Sequence, residues 1–332
     1  MTIVIHHTRS QPARTLAAPA APASGERRER CAVVNADDFG FSTGVNIAVE
    51  RAAREGVLTS ASLMTNGAAF DHALDCLARA PRLGIGLHLC LTSGRSLLPH
   101  RDVPALTDSN GRFRLGFLQI AARCGSGNAT FLEQVERELA AQFERLHAVP
   151  RRIDHVNSHR YVHTIPAIHA IVERLARPLG HIWIRRPVES LGPIRVWRHP
   201  AAAVRRLCNL PKRLVLKRFA QQVPVADRPG AHAAYRGLLD SGRMTAPTLR
   251  TLLDATAPGV TEVVTHPAVA GQDIPDDWSA ADRRFAASRF RETEFQALVD
   301  RQVLALRDTG FIRLATFAEA PRIAGSGASS LS

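Results

Sequence analysis

The chain has 332 residues, with 43 Lys+Arg against 30 Asp+Glu for a formal charge of +13, 45% apolar residues and 22% charged ones. This is the composition of a soluble globular protein, long enough to bury a core in one large or two ordinary domains without disulfides or a structural metal. Small stapled scaffolds are excluded. The cysteines (Cys31, Cys76, Cys90, Cys124 and Cys208) are widely spaced, with no pair in metal-knuckle or redox spacing. That argues against a disulfide framework and for the cytoplasm.

No apolar run approaches the ~18–20 residues of a membrane-spanning helix. Residues 1–30 read as a disordered tail: their weakly apolar patch at 16–23 is mostly alanine, broken by Pro19 and Pro22, and fails as a signal-peptide core. Residues 323–332 read as a flexible tail, which leaves 31–322 as the folded domain.

Between the tails, short β-branched runs alternate with amphipathic stretches, the pattern of βα units around a parallel sheet. Strands are predicted at 32–35, 60–64, 83–89, 152–157, 181–185, 261–265 and 311–313, a number that fits a barrel or a wide open sheet. Helices are predicted at 45–55, 70–80, 131–146, 166–176, 246–254 and 280–308 from apolar residues near 3.6 spacing. There is no internal repeat.

One interval departs from this rhythm. Residues 185–218 hold ten Lys/Arg and a single acid, Glu189, interleaved with apolar residues such as Trp197, Val204, Leu207 and Leu214. The basic insertion, about 188–225, suits either a helix lying on an anionic membrane surface or a solvated helix pair capping one end of a barrel.

The first strand ends in Asn35-Ala36-Asp37-Asp38-Phe39-Gly40, where ligands gather at the carboxyl ends of strands in α/β sheets. Neighbouring side chains on extended backbone point to opposite sides, so one aspartate is free to hold a metal while the other faces a water. The third strand reads Gly84-Ile85-Gly86-Leu87-His88-Leu89 and puts His88 on a face kept empty by glycine. In the fourth, His155, Asn157 and His159 share a face if the backbone stays extended through 154–163. A further strand closes with Glu262-Val263-Val264-Thr265-His266-Pro267. An aspartate from the first strand with His88 and His159 makes three protein ligands, a set that suits a catalytic metal with a position left for water.

In order and spacing, these four motifs resemble those of the YdjC-like carbohydrate deacetylases, from about residue 31 to 318. The Asp154-His155-Val156-Asn157 form and the basic insertion are closest to the hopanoid-biosynthesis-associated members called HpnK. The resemblance implies an α/β, (β/α)-barrel-like fold related to polysaccharide deacetylases. It implies one divalent metal, zinc or magnesium, held by Asp38, His88 and His159, with Asp37 as catalytic base. His266 is the candidate general acid, and Arg185 orients the carboxylate or the sugar. The family commonly has Asp-Ser-His-His-His-Val-His in the third motif; here Asn157, Arg160 and Tyr161 replace the acid and two histidines, while His159 and His163 remain.

The implied substrate is an N-acetylglucosaminyl hopanoid or another acetylated amino sugar, met at the inner face of a membrane touched by residues 195–218. Soluble chito-oligosaccharides are the alternative. A metal phosphoesterase needs a second metal and more bridging carboxylates than the motifs offer. A nucleic-acid-binding module fits the basic charge, but no helix-turn-helix, finger or RNA-binding signature accompanies it. Neither a phosphate loop nor a nucleophile-elbow serine is present.

Overall fold

The protein is described by a computed structural model over residues 29–192, 200–223, 233–270 and 273–320. Residues 1–28 and 323–332 of the two tails, and residues 193–199 and 224–225 of the insertion, lie outside the described residues, whereas Arg30, expected in the tail, opens the first strand. The strands are β1 (Arg30–Phe39), β2 (Ser60–Leu63), β3 (Gly84–Leu89), β4 (Ile153–Ser158), β5 (Trp183–Ile184), β6 (Ala234–Arg236), β7 (Gly259–Thr265) and β8 (Arg313–Leu314). The helices are α1 (Thr43–Glu55), α2 (Phe70–Arg79), α3 (Phe117–Gly125), α4 (Ala129–Glu144), α5 (Pro166–Ala176), α6 (Pro200–Ala220), α7 (Ala246–Asp254), α8 (Ala280–Ala286), α9 (Arg289–Leu298) and α10 (Arg301–Asp308).

All strand pairings are parallel, in the order β5-β4-β3-β2-β1-β7-β6. β1 is the axis. Its upper half, Asn35 to Phe39, pairs with β2, while β8 takes Cys31 and Ala32 below on that side, and β7 runs along the other edge from Arg30 to Ala36. The two outer strands approach through a parallel bridge between Glu189, just past β5, and Tyr235 of β6. That contact bends the sheet into a barrel-like α/β fold. Buried on both faces, β1 is apolar at Ala32, Val33 and Val34 without alternation, as a covered parallel strand requires.

Local chemistry explains where prediction and structure differ. The stretch 280–308 is three helices, because Ser288 and Asp300 each accept a backbone N–H from the turn that follows and start a new helix. Strand β6 has three residues, too few for a period to show, and α3 was not foreseen. The last strand lies one to two residues later than expected.

The basic interval forms α6, whose inner face is fastened to the barrel. Arg206, fully buried, pairs with Asp240 (2.8 and 2.5 Å), Arg213 donates to the Glu189 carbonyl at 2.6 Å, and Leu216 packs with Tyr161, Tyr235, Leu238 and Val264. Its outer side leaves Val204, Leu207 and Leu214 between 57% and 60% exposed. Among the described residues no helix is long and apolar enough to cross a membrane.

Candidate active site

The register between β1 and β2 slips between Ala36 and Phe39, so Asp37 and Asp38 occupy a bulge at the carboxyl end of the central strand. Asp38 has φ +68°, a left-handed conformation that aspartate tolerates better than most residues. The bulge and this conformation turn both aspartates inward: neither is more than 4% exposed.

Asp38 divides its two oxygens. Oδ2 lies 3.1 Å from Arg291 Nη2, while Oδ1 lies 3.3 Å from His88 Nε2 and 3.1 Å from His159 Nδ1. One ligand atom from each of Asp38, His88 and His159 lies within 4.8 Å of the others. The donor set fits a divalent cation for a reason visible at His88. Its Nδ1 lies 2.6 Å from Asn157 Oδ1, an amide whose nitrogen is already committed to Ser62 Oγ at 2.6 Å. Nδ1 must therefore carry a proton, which leaves buried Nε2 as the nitrogen that His88 turns toward the cluster and could offer to a cation. Burial opposes charge on Asp38, but Arg291 and the two histidines hold its carboxyl well below the usual carboxylate range. Burial likewise opposes charge on His159, yet Asp282 and Asp38 on either side push its pKa well above the ordinary value. A bound cation would take the place of that proton.

Asp37 faces the other way, into a set of fixed charges. Arg185 grips it from β5's end, and Asn35 Nδ2 adds a bond at 2.9 Å. The same guanidinium reaches Glu262 Oε1 at 2.7 and 2.9 Å. Burial works to raise the Asp37 pKa, but Arg185, His88 and His266 outweigh it, so the carboxyl stays ionised far below its usual range. His266 Nε2 lies 4.0 Å from Asp37 Oδ2, and its Nδ1 lies 3.8 Å from Glu294 Oε2. Burial lowers the His266 pKa to about 4 despite Asp37 and Asp38, so the imidazole is neutral near pH 7.

All six residues singled out in the sequence thus fall in one buried cluster. Two details differ from expectation. β4 ends at Ser158, and His159 reaches the site from a turn in which Arg160 and Tyr161 have positive φ, not from an extended strand shared with His155. The face beside Gly86 is not empty either: a Cβ there would lie 2.3 Å from the His155 ring, whose Nδ1 meets Asp154 at 2.7 Å and whose Nε2 meets Ser62 at 2.8 Å. Sequence reading missed Arg291, Asp282 and Glu294, which sit in α8 and α9 with no local motif. Glu262 lay within the fourth motif and could have been suspected as a buried charge in a strand.

The YdjC-like protein family matches residues 31–308, and the chain belongs to that family. It is 44% identical over 156 residues to a carbohydrate deacetylase of Brevibacillus brevis, covering 46% of this chain and 59% of that protein. A carbohydrate deacetylase of Geobacillus stearothermophilus is 41% identical over 172 residues, covering 50% and 63%. A chitooligosaccharide deacetylase of Yersinia pestis is 37% identical over 172 residues, covering 52% and 61%. The chain spans about three-fifths of the length of these curated relatives. A crystal structure from Enterococcus faecalis V583, described as a proposed cellobiose-phosphate cleavage protein, shares the fold with a TM-score of 0.63 at 24% identity, covering 88% of this chain and 98% of that one.

Proposed function

We propose that this protein is a metal-dependent carbohydrate N-deacetylase that removes the acetyl group from an N-acetylglucosamine-type sugar and releases acetate. The observation that carries the reading is the ionised Asp37 carboxylate beside the convergence of Asp38, His88 and His159. The deacetylase names of the relatives support the same class. A divalent cation held by those three side chains supplies Lewis-acid polarisation of the acetamide carbonyl and acidifies a water.

The chain's own residues divide the remaining work. Asp37, held in one orientation by Arg185, accepts the proton of the attacking water. His266, whose Nε2 lies 4.0 Å from Asp37 Oδ2, is the candidate group to deliver a proton to the leaving amine. Arg185 serves to orient the carboxylate, since both of its faces are spent on Asp37 and Glu262. Among the described residues there is a single set of metal-ligating groups, which disfavours the two-metal phosphoesterase reading.

For the substrate we favour an N-acetylglucosaminyl hopanoid, in line with the HpnK-like third motif, over soluble chito-oligosaccharides. The exposed Val204, Leu207 and Leu214 beside exposed Lys217 and Arg218 on α6 support contact with an anionic membrane, at the inner face in a cytoplasmic protein. Mass spectrometry after incubation of the zinc- or magnesium-loaded protein with N-acetylglucosaminyl hopanoid and with diacetylchitobiose tests the proposal. Loss of one acetyl group from either supports the deacetylase, and loss from the hopanoid at the higher rate supports the finer assignment. Both substrates remaining acetylated with every divalent metal tried would reject it.

A further inference from the structure

Asp282 belongs to α8, capped by Ser279, and is only 9% exposed although nothing in its sequence neighbourhood marks it. Both of its oxygens are engaged. Oδ1 accepts from Arg160 Nη2 at 2.8 Å and from Arg160 Nε and His159 Nε2 at 3.3 Å. Oδ2 accepts from Ser279 Oγ at 2.6 Å and from Ser93 Oγ. The partners come from segments that follow β3, β4 and β7, so a single carboxylate ties three loops together at the mouth of the barrel. Trp278, edge-on to the His159 ring at 5.6 Å, closes the same side.

The two imidazoles of the ligand set present opposite nitrogens. His88 turns Nε2 inward because Asn157 accepts from its Nδ1; His159 turns Nδ1 toward Asp38, with Nε2 pointing away at Asp282. A neutral imidazole carries one N–H, and the acceptor behind the ring decides which nitrogen keeps it.

We infer that Asp282 is the positioning residue for this second ligand: by accepting from His159 Nε2 it fixes the ring and the tautomer that offer Nδ1 to the cation, and so sets the affinity of the site. This rests on the metal-site reading above. Ser279 and Ser93, which both donate to Oδ2, hold the carboxylate in turn, and this makes the segment around α8, far along the chain, a determinant of metal binding without supplying a ligand.

Zinc affinity by chelator competition on the full chain, with folding followed by circular dichroism, tests it. Asp282→Ala is expected to weaken zinc about 10–100-fold, whereas Asp282→Asn, which keeps an acceptor facing His159, retains most of the affinity. Arg160→Met leaves the His159 contact in place and is expected to lose little. Long-range proton–nitrogen spectra of the zinc-loaded wild type should show His159 protonated at Nε2 and coordinated through Nδ1. A folded Asp282→Ala protein that binds zinc as tightly as wild type, coordination through Nε2, or equal losses in Asp282→Ala and Arg160→Met would each overturn the inference. Failure of the wild type to bind zinc or cobalt at all would instead remove the metal-site reading beneath it.

Discussion

Arg185 holds Asp37 with both terminal nitrogens, Nη1 to Oδ2 and Nη2 to Oδ1, each at 2.7 Å, and it does so from inside the barrel with only 2% of its side chain exposed. Bidentate pairing of this kind fixes geometry as well as charge, because the planar guanidinium leaves the carboxylate a single orientation. Arg185→Met strands Asp37 and Glu262 as two buried carboxylates without a counter-charge. The expected loss is about 3–5 kcal/mol in urea melts at neutral pH. The loss should shrink in acid, because the depressed Asp37 pKa contributes stability above its ordinary value that disappears as the carboxyl protonates. Any residual activity should have its acid limb moved to higher pH. An unchanged melt would contradict the account.

His163 gives a stability signature of the same sort with a different origin. It is buried between Ser158 Oγ at 2.5 Å and the Arg185 carbonyl at 2.9 Å, and burial, aided by Arg185, lowers its pKa from 6.5 to about 3. Between those values the unfolded chain binds a proton that the folded one refuses, so stability falls as pH drops from 6.5 toward 3. The slope from this group reaches about 1.4 kcal/mol per pH unit. His163→Gln should be less stable than wild type at pH 7, and the gap should narrow steadily on acidification. A constant gap from pH 7 to pH 4 would argue that the imidazole titrates normally in the fold.

Gly86→Ala is expected to destabilise by about 1–3 kcal/mol, the range for overpacking. Its Cβ would lie 2.3 Å from a His155 ring that Asp154 and Ser62 hold from both sides. Because the clash has one partner, the double variant with His155→Ala should recover part of the loss, and a double-mutant cycle by thermal melting measures the coupling. Additive single effects would show that some other contact is responsible.

The outward stripe of α6 should separate binding from folding. Serine at Val204, Leu207 and Leu214 with glutamate at Lys217 and Arg218 is expected to change stability by no more than about 0.5 kcal/mol per site, as for surface positions in general. The same protein should lose co-sedimentation with anionic liposomes. Arg206→Ala, on the inner side of the helix, is the control that unfolds without testing lipid, since it leaves Asp240 buried and unpaired. Retained liposome binding by the stripe variant would assign α6 to packing alone.

The sequence made the candidate site legible where chemistry clusters locally. The doublet Asp37-Asp38, the terminal histidines of β3 and β7, and the histidine-rich run after β4 each stand at the carboxyl end of a strand, and the βα alternation says that such ends meet. Partners brought in by tertiary packing were not legible. Arg291 and Asp282 sit on helices whose apolar pattern merged three elements into one, and only the caps at Ser288 and Asp300 mark the breaks. The glycines of β3 were read as clearing a ligand space when Gly86 clears room for an imidazole, because a sequence shows that volume is missing and not what fills it.

The threading of β1 has a consequence for how the protein is made. Thr265 Oγ1 donates to the Asn35 carbonyl across 230 residues, and β7 pairs with β1 along most of its length. At translation rates of 5–20 residues per second, roughly 10–45 s separate the emergence of the two strands. Throughout that interval the nascent chain carries an open hydrogen-bonding edge on its central strand, the kind of edge that seeks partners in other chains. A ribosome that stops short of residue 259 therefore releases a polypeptide that already contains Asp38, His88 and His159 but, for want of its last neighbour, is destined for chaperones or aggregates.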